Sequence, residues 1–290
     1  MDKIPCRSTI LWGAVCAFSV LIVPLLGQAH EPLNPNVIKF GIFPYQSPKT
    51  IVEIYGPLAA RLEKKLGKKI IISSAPDAKI FLEKARNQGC DLLLSAPMAY
   101  YKLRPAGYKV IAKGIPAFYG GAIVRKDSEI KTIEQLKGKK VAAMGEHSYC
   151  AYSFILPQLE AKGINPRKDV EFQFLGKVDS VIYGVINKKF DAGLIKIDTL
   201  DLPAFAGVRD QVTIITRSPE IPQFPFVVKI SMDATTIAAM QEVFAALSPD
   251  NPEELEILES MQVERIVTAT DADYDGFYEQ IKDTDYFRQP

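Results

Sequence analysis

Glu146, His147, Ser148, Tyr149 and Cys150 stand side by side in the stretch GEHSYCAYSFILP, residues 145–157. Three chemistries fit these residue types. Glu146 and His147 supply an acid and a base for a Cys150 nucleophile. His147 and Cys150, three positions apart, make half of a zinc site. Alternatively, the same polar groups line a binding pocket. The zinc reading is short of ligands, because a structural site takes about four and the other histidine of the chain is His30. The nucleophile reading has the same shortage, with no second histidine for a separate role. Cys150 precedes an apolar run of helical character. A thiol at a helix N-terminus has its thiolate favoured, so Cys150 is either a soft ligand for a metalloid or metal, or a cysteine that lines a pocket and packs against what binds there.

Composition narrows the field. A chain of 290 residues with 48% hydrophobic and 24% charged residues has the make-up of a folded protein with room for two domains. Its formal net charge of +1 argues against a chain that neutralises many nucleic-acid phosphates. Lys3 and Arg7 precede an apolar run at 9–27, and small residues follow it. Residues 1–29 therefore read as a secretory signal cleaved after Ala29, with an uncleaved membrane anchor as the alternative. Losing Asp2, Lys3 and Arg7 leaves equal numbers of basic and acidic residues, and of the four cysteines only Cys90 and Cys150 stay. The expected location is outside the cytoplasm.

The elements that must position the cluster alternate between strand and helix. VIKFGI reads as a strand, PYQSPKT as its turn, and Ile51, Ile54, Tyr55, Leu58, Leu62 and Leu66 recur at helical spacing up to Gly67. Strand KIIIS, helix 77–88, strand DLLLS, a short helix after Pro97 and strand KVIAKG follow. Continuous apolar strands of this kind predict a parallel sheet covered on both faces. The pattern restarts with strand KKVAAMG, helix 149–162, strand VEFQFLG, helix 178–188 and strand DAGLI. Beyond RSPEIPQFPFVVK come helices 233–247, 252–260 and 274–281, expected to return to the first set. The fold class is α/β, with two βαβ-type lobes joined by two hinge crossings near Tyr119 and Ser218. One lobe takes residues 36–117 plus 223–290, and the other 118–222. In such a fold the ligand sits at the carboxyl ends of the strands, in the loops PYQSP, SAPMAYY, GIPAFYGG, GEHSYCAY and IKIDT. Cys90 starts a strand on the opposite edge from Cys150, too far for a disulfide, whose Cα atoms lie within roughly 7 Å.

GIFPYQSP, SAPMAYY, AFYGGAIVRKDSEIKTIEQLKGKKVA, DAGLI and SPEIPQFPFVV occur in that order and at spacings that resemble the periplasmic phosphate/phosphite/phosphonate-binding proteins of ABC transporters, within the type 2 periplasmic binding proteins. The resemblance runs from about Val37 to about Ile281. It implies a two-lobed extracytoplasmic receptor, monomeric and without a cofactor. Such a receptor closes on a small ligand and hands it to an ABC permease or a membrane sensor kinase, with no chemistry of its own. Transferred onto this chain, the family's ligand positions fall on Tyr45 and Gln46, on Ser95 to Met98, on Tyr119, and on the turn His147, Ser148, Tyr149, Cys150 and Tyr152. Where the family has Ser-Thr-Ser-Gly, this chain has Cys150-Ala151-Tyr152-Ser153, and an acidic or amide position is Lys196. An oxyanion such as phosphate, phosphite or phosphonate is the implied ligand. A metalloid or metal held by Cys150, with His147, is the alternative, since some relatives bind arsenite through cysteine. Tyr100 and Tyr101, on a helix, are expected to pack.

Overall fold

In the computed structural model, which describes residues 36–284 apart from 147, 203 and 204, the first strand is β1 (Val37–Ile42). Its turn delivers Ser47 to the start of α1 (Pro48–Leu66), where the hydroxyl accepts from Thr50 N–H at 3.2 Å and Pro48 supplies a preset φ. Gly67, at φ 63°, closes the helix in the left-handed region where a side chain is disfavoured. Ile51, Tyr55, Leu58 and Leu62 form the buried stripe that holds α1 to the sheet. Then follow β2 (Lys69–Ser73), α2 (Ala78–Arg86), β3 (Leu92–Leu94), α3 (Pro97–Leu103) and β4 (Tyr108–Ile115).

The second series comprises β5 (Gly120–Arg125), β6 (Lys140–Ala143), α4 (Ile155–Glu160), α5 (Pro166–Asp169), β7 (Glu171–Phe174), α6 (Val178–Ile186), β8 (Ala192–Lys196) and β9 (Val212–Arg217). The chain then gives β10 (Pro225–Lys229), α7 (Ala234–Ala246), α8 (Pro252–Ser260), β11 (Arg265–Thr268) and α9 (Ala272–Ile281). Two sheets result, ordered β11-β4-β10-β3-β1-β2 and β7-β6-β8-β5-β9. The internal repetition is physical. Asp91, just before β3, accepts from Lys39 N–H at 2.9 Å, and Asp191, just before β8, accepts from Lys140 N–H at 2.9 Å. Each carboxylate locks the entry of one strand to the start of its parallel neighbour.

The expectation of parallel sheets needs correction, because both sheets are mixed. β1 pairs in parallel with β2 and β3, and β6 with β7 and β8, but β10 runs antiparallel to β3 and β4, and β5 antiparallel to β8 and β9. The reason lies in the crossings. A strand that leaves one sheet at its carboxyl end and enters the other on the same side must run against its new neighbours. The two crossings pair with each other: Phe118 and Ile221 exchange backbone hydrogen bonds of 2.9 Å, and Gly120 N–H donates to Ser218 Oγ at 2.9 Å. β9 and β11, short edge strands, extend the sheets beyond what the apolar runs announced. One apolar cluster spans both sheets through Phe118 and Tyr149. Tyr100 and Tyr101 pack as expected: Tyr100 is fully buried, and the Tyr101 hydroxyl donates to the Tyr274 carbonyl. Among the described residues, no helix is long and apolar enough to cross a membrane. The proposed signal at 1–29 and His30 lie outside the described residues, as do 285–290.

Candidate functional site

The loops at the carboxyl ends of β1, β3, β6 and β8, the two crossings and the segment before β11 surround a cavity of about 370 Å³. Seven residues anticipated from the sequence line it: Tyr45, Gln46, Met98, Ser148, Tyr149, Cys150 and Lys196. Three do not. Ser95 is fully buried between the lining residues Leu94 and Ala96, and its hydroxyl donates to the Ala96 carbonyl. Successive side chains of an extended segment face opposite ways, so Ser95 points away from its neighbours' side. Alternation also separates Phe118, which lines the cavity, from Tyr119, whose hydroxyl donates to Glu220 at 3.3 Å on the outer side of the crossings. Tyr152 packs edge-on against Phe172 and Phe174 of β7, with ring centroids 5.1 and 5.0 Å away. His147 lies outside the described residues.

The turn carrying Cys150 is not the regular helix expected over 149–162. Residues Tyr149–Ser153 form a π-turn whose Ala151 has non-helical angles, φ −118° and ψ 16°, and α4 begins only at Ile155. Ser148 caps the turn, its hydroxyl accepting from Ala151 N–H at 3.2 Å and lying 3.6 Å from Cys150 Sγ. The kink at Ala151 interrupts the helix between Cys150 and α4, and the thiol follows its surroundings. Burial pushes the Cys150 thiol up, outweighing the Ser148 hydrogen bond and the pull of Lys196. The expectation of a favoured thiolate is thereby reversed. Cys90 and Cys150 are both free, and burial raises the Cys90 thiol as well. Among the described residues no three His, Cys, Asp or Glu side chains gather as a metal cluster.

Lys196 brings the cation. Its ammonium lies 3.0 Å from Asp198, 3.4 Å from the Gln262 side-chain oxygen and 4.7 Å above the Phe118 ring. On the other wall, Tyr45 and Tyr55 share a hydroxyl hydrogen bond of 2.7 Å, and the Tyr45 ring meets Phe224 edge-on at 5.3 Å. Burial holds the Tyr45 phenol at about 12, and the Tyr55 phenol is also raised by burial. The cavity is thus an apolar, aromatic chamber with a few convergent polar groups, the usual form of a small-molecule site.

Comparison with known proteins decides the family. The family model for the periplasmic substrate-binding protein of phosphonate ABC transporters matches residues 40–274. The chain belongs to this family. A relative, the phosphonates-binding periplasmic protein of Escherichia coli (strain K12), is 27% identical over 249 residues, covering 82% of this chain and 73% of the relative. The fold is shared with a binding-protein component of an ABC phosphonate transporter from Pseudomonas aeruginosa, at TM-score 0.72, 20% identity and 84% coverage of each chain. It is shared too with PhnD1 from Prochlorococcus marinus (MIT 9301), solved in complex with methylphosphonate, at TM-score 0.75 and 19% identity, covering 85% of this chain and 97% of that one.

In this substrate-binding protein, sequence reasoning missed part of the cavity wall. Phe118 precedes Tyr119, Phe43 lies two positions before Tyr45 and Phe224 falls in the stretch SPEIPQFPFVV, and their aromatic character near strand ends was the available signal. Gln262 carried no such signal. It precedes β11, sits at φ 57°, and donates from its side-chain amide to the Asp198 carbonyl at 3.0 Å while its oxygen faces Lys196. A single side chain from the first-sheet side thereby touches the loop after β8 of the second sheet.

Proposed function

We propose that this binding protein captures a small oxyanion such as phosphate, phosphite or phosphonate in the cavity between its sheets and delivers it to an ABC permease or a membrane sensor kinase. The observation that carries the reading is the Lys196 ammonium, set with the Ser148 hydroxyl in a chamber to which both sheets and both crossings contribute. An ammonium is a compact point charge suited to an oxyanion. Methylphosphonate in the Prochlorococcus marinus relative supports the ligand class. Residues 36–117 with 223–290 act as one lobe and 118–222 as the other, closing about the paired crossings on a ligand that prefers the closed state. The protein works as a monomer, exported to the periplasm by residues 1–29, and binds without chemistry or cofactor.

A thermal-shift panel tests this with phosphate, phosphite, methylphosphonate, sulfate, arsenite and copper or zinc ions. A phosphorus oxyanion should raise the melting temperature in proportion to RT ln(1 + [L]/Kd). A shift confined to arsenite or a metal ion, and lost in Cys150→Ser, would replace the oxyanion with a thiol ligand.

A further inference from the structure

We infer that the preferred ligand is an organophosphonate with an uncharged body of several carbons, aliphatic or aromatic, and not inorganic phosphate or a one-carbon phosphonate. This inference rests on the oxyanion reading of the same cavity. Its first support is size: about 370 Å³ falls in the range of pockets that enclose drug-sized molecules.

The second support is how charge and apolar surface are distributed. Among the described residues that line the cavity, Lys196 is the one cationic side chain, and Asp198 at 3.0 Å already answers part of its charge. One shared cation suits a single anionic head better than an ion charged on every side, whose desolvation has to be met all round. The aromatic wall begins directly beneath that head: Phe118 lies 4.7 Å from the ammonium, Phe224 follows at 6.3 Å from Phe118, and Phe43 and Tyr45 at 6.4 and 5.3 Å from Phe224. The Tyr45 hydroxyl is engaged with Tyr55, so its ring faces the chamber's aromatic side. Met98 and Met144 add pliable apolar surface that adapts to irregular shapes. A phosphate held at Lys196 would leave this wall against water, whereas a hydrocarbon body would cover it.

The third support excludes an amine on that body. Among the described lining residues the one carboxylate is Asp77, which is exposed and caps α2 by accepting from Ile80 N–H at 2.9 Å. Asp198 is bound to Lys196. A ligand ammonium would therefore have to compete for carboxylates that already have a protein partner.

Calorimetric titration of the whole chain with phosphate, methylphosphonate, butylphosphonate and phenylphosphonate tests the inference. Each methylene buried should tighten binding by about fourfold. Butylphosphonate should therefore exceed methylphosphonate by at least about tenfold, approaching roughly 60-fold if all three added methylenes are buried, with phenylphosphonate similarly favoured. Phe224→Ala should flatten the series; if that variant fails to fold, the wild-type series alone decides. Methylphosphonate or phosphate binding as tightly as the larger ligands would overturn the inference and leave the oxyanion reading intact. No binding of any member would overturn both.

Discussion

At the scale of single residues, burial and not sequence neighbourhood sets the chemistry of this cavity. The Tyr45 phenol is the clearest case, raised from the ordinary 10.0 to about 12 by burial, with a smaller opposing contribution from the Tyr55 hydrogen bond. A phenol whose pKa is raised on folding adds stability that is fully present below the unfolded value of about 10 and is lost as pH rises through the folded value. Stability should therefore fall between pH 10.0 and about 12. Denaturant unfolding across that window should show a shallower fall for the double variant Tyr45→Phe with Tyr55→Phe, because Tyr100, Tyr101 and Tyr108 are also raised by burial and retain their share. An unchanged pH slope in the double variant would show that the pair is not ionisation-resistant. Much of the cavity was legible at this scale. Tyr45, Gln46, Ser148, Cys150 and Lys196 follow predicted strands, where a ligand must sit. Ser95, Tyr119 and Tyr152 were misdirected because a loop's facing depends on a phase of one residue, which composition does not report. The same holds for Phe118, one position from Tyr119 and on the opposite side.

At the scale of elements, the site depends on β5 and the π-turn lying almost in contact. A Cβ added at Gly120 would sit 2.3 Å from the Cys150 carbonyl oxygen and 2.8 Å from its Cα. Backbone cannot yield as a flexible side chain can, so Gly120→Ala should push the turn outward. Overpacking of this kind costs about 1–3 kcal/mol. Chemical denaturation should report that loss together with weakened binding of methylphosphonate; a variant as stable as wild type would mean that the turn has slack. The strand and helix order of the first series was readable from periodicity, down to the stop at Gly67, and so were β6, β7, α6 and β8 of the second, whereas β5, α5 and β9 were not. Strand direction was not, because a fully apolar strand looks the same in a parallel or an antiparallel setting. The direction of β5 and β10 follows instead from the crossings, a feature of the path of the chain.

At the scale of the molecule, contacts made by Gln262 and Phe277 tie the sheets across the cavity. Gln262 reaches Asp198 and Lys196, and Phe277 of α9 packs edge-on against Tyr149 at 5.1 Å. Under the proposed hinge closure, both contacts would hold the lobes together without ligand, so their removal should shift the balance toward opening. Gln262→Ala should enlarge the radius of gyration of the unliganded protein in X-ray scattering, and saturating ligand should restore it. Identical scattering with and without Gln262 would remove the bridge from the account.

The central claim is that Lys196 receives the anion, and calorimetric titration of wild type and Lys196→Met with methylphosphonate tests it most directly. A hydrogen bond to a charged group contributes about 1.5–3 kcal/mol, so the variant should bind roughly tenfold to a hundredfold more weakly. Equal affinities for the two proteins, with both still folded, would contradict the account.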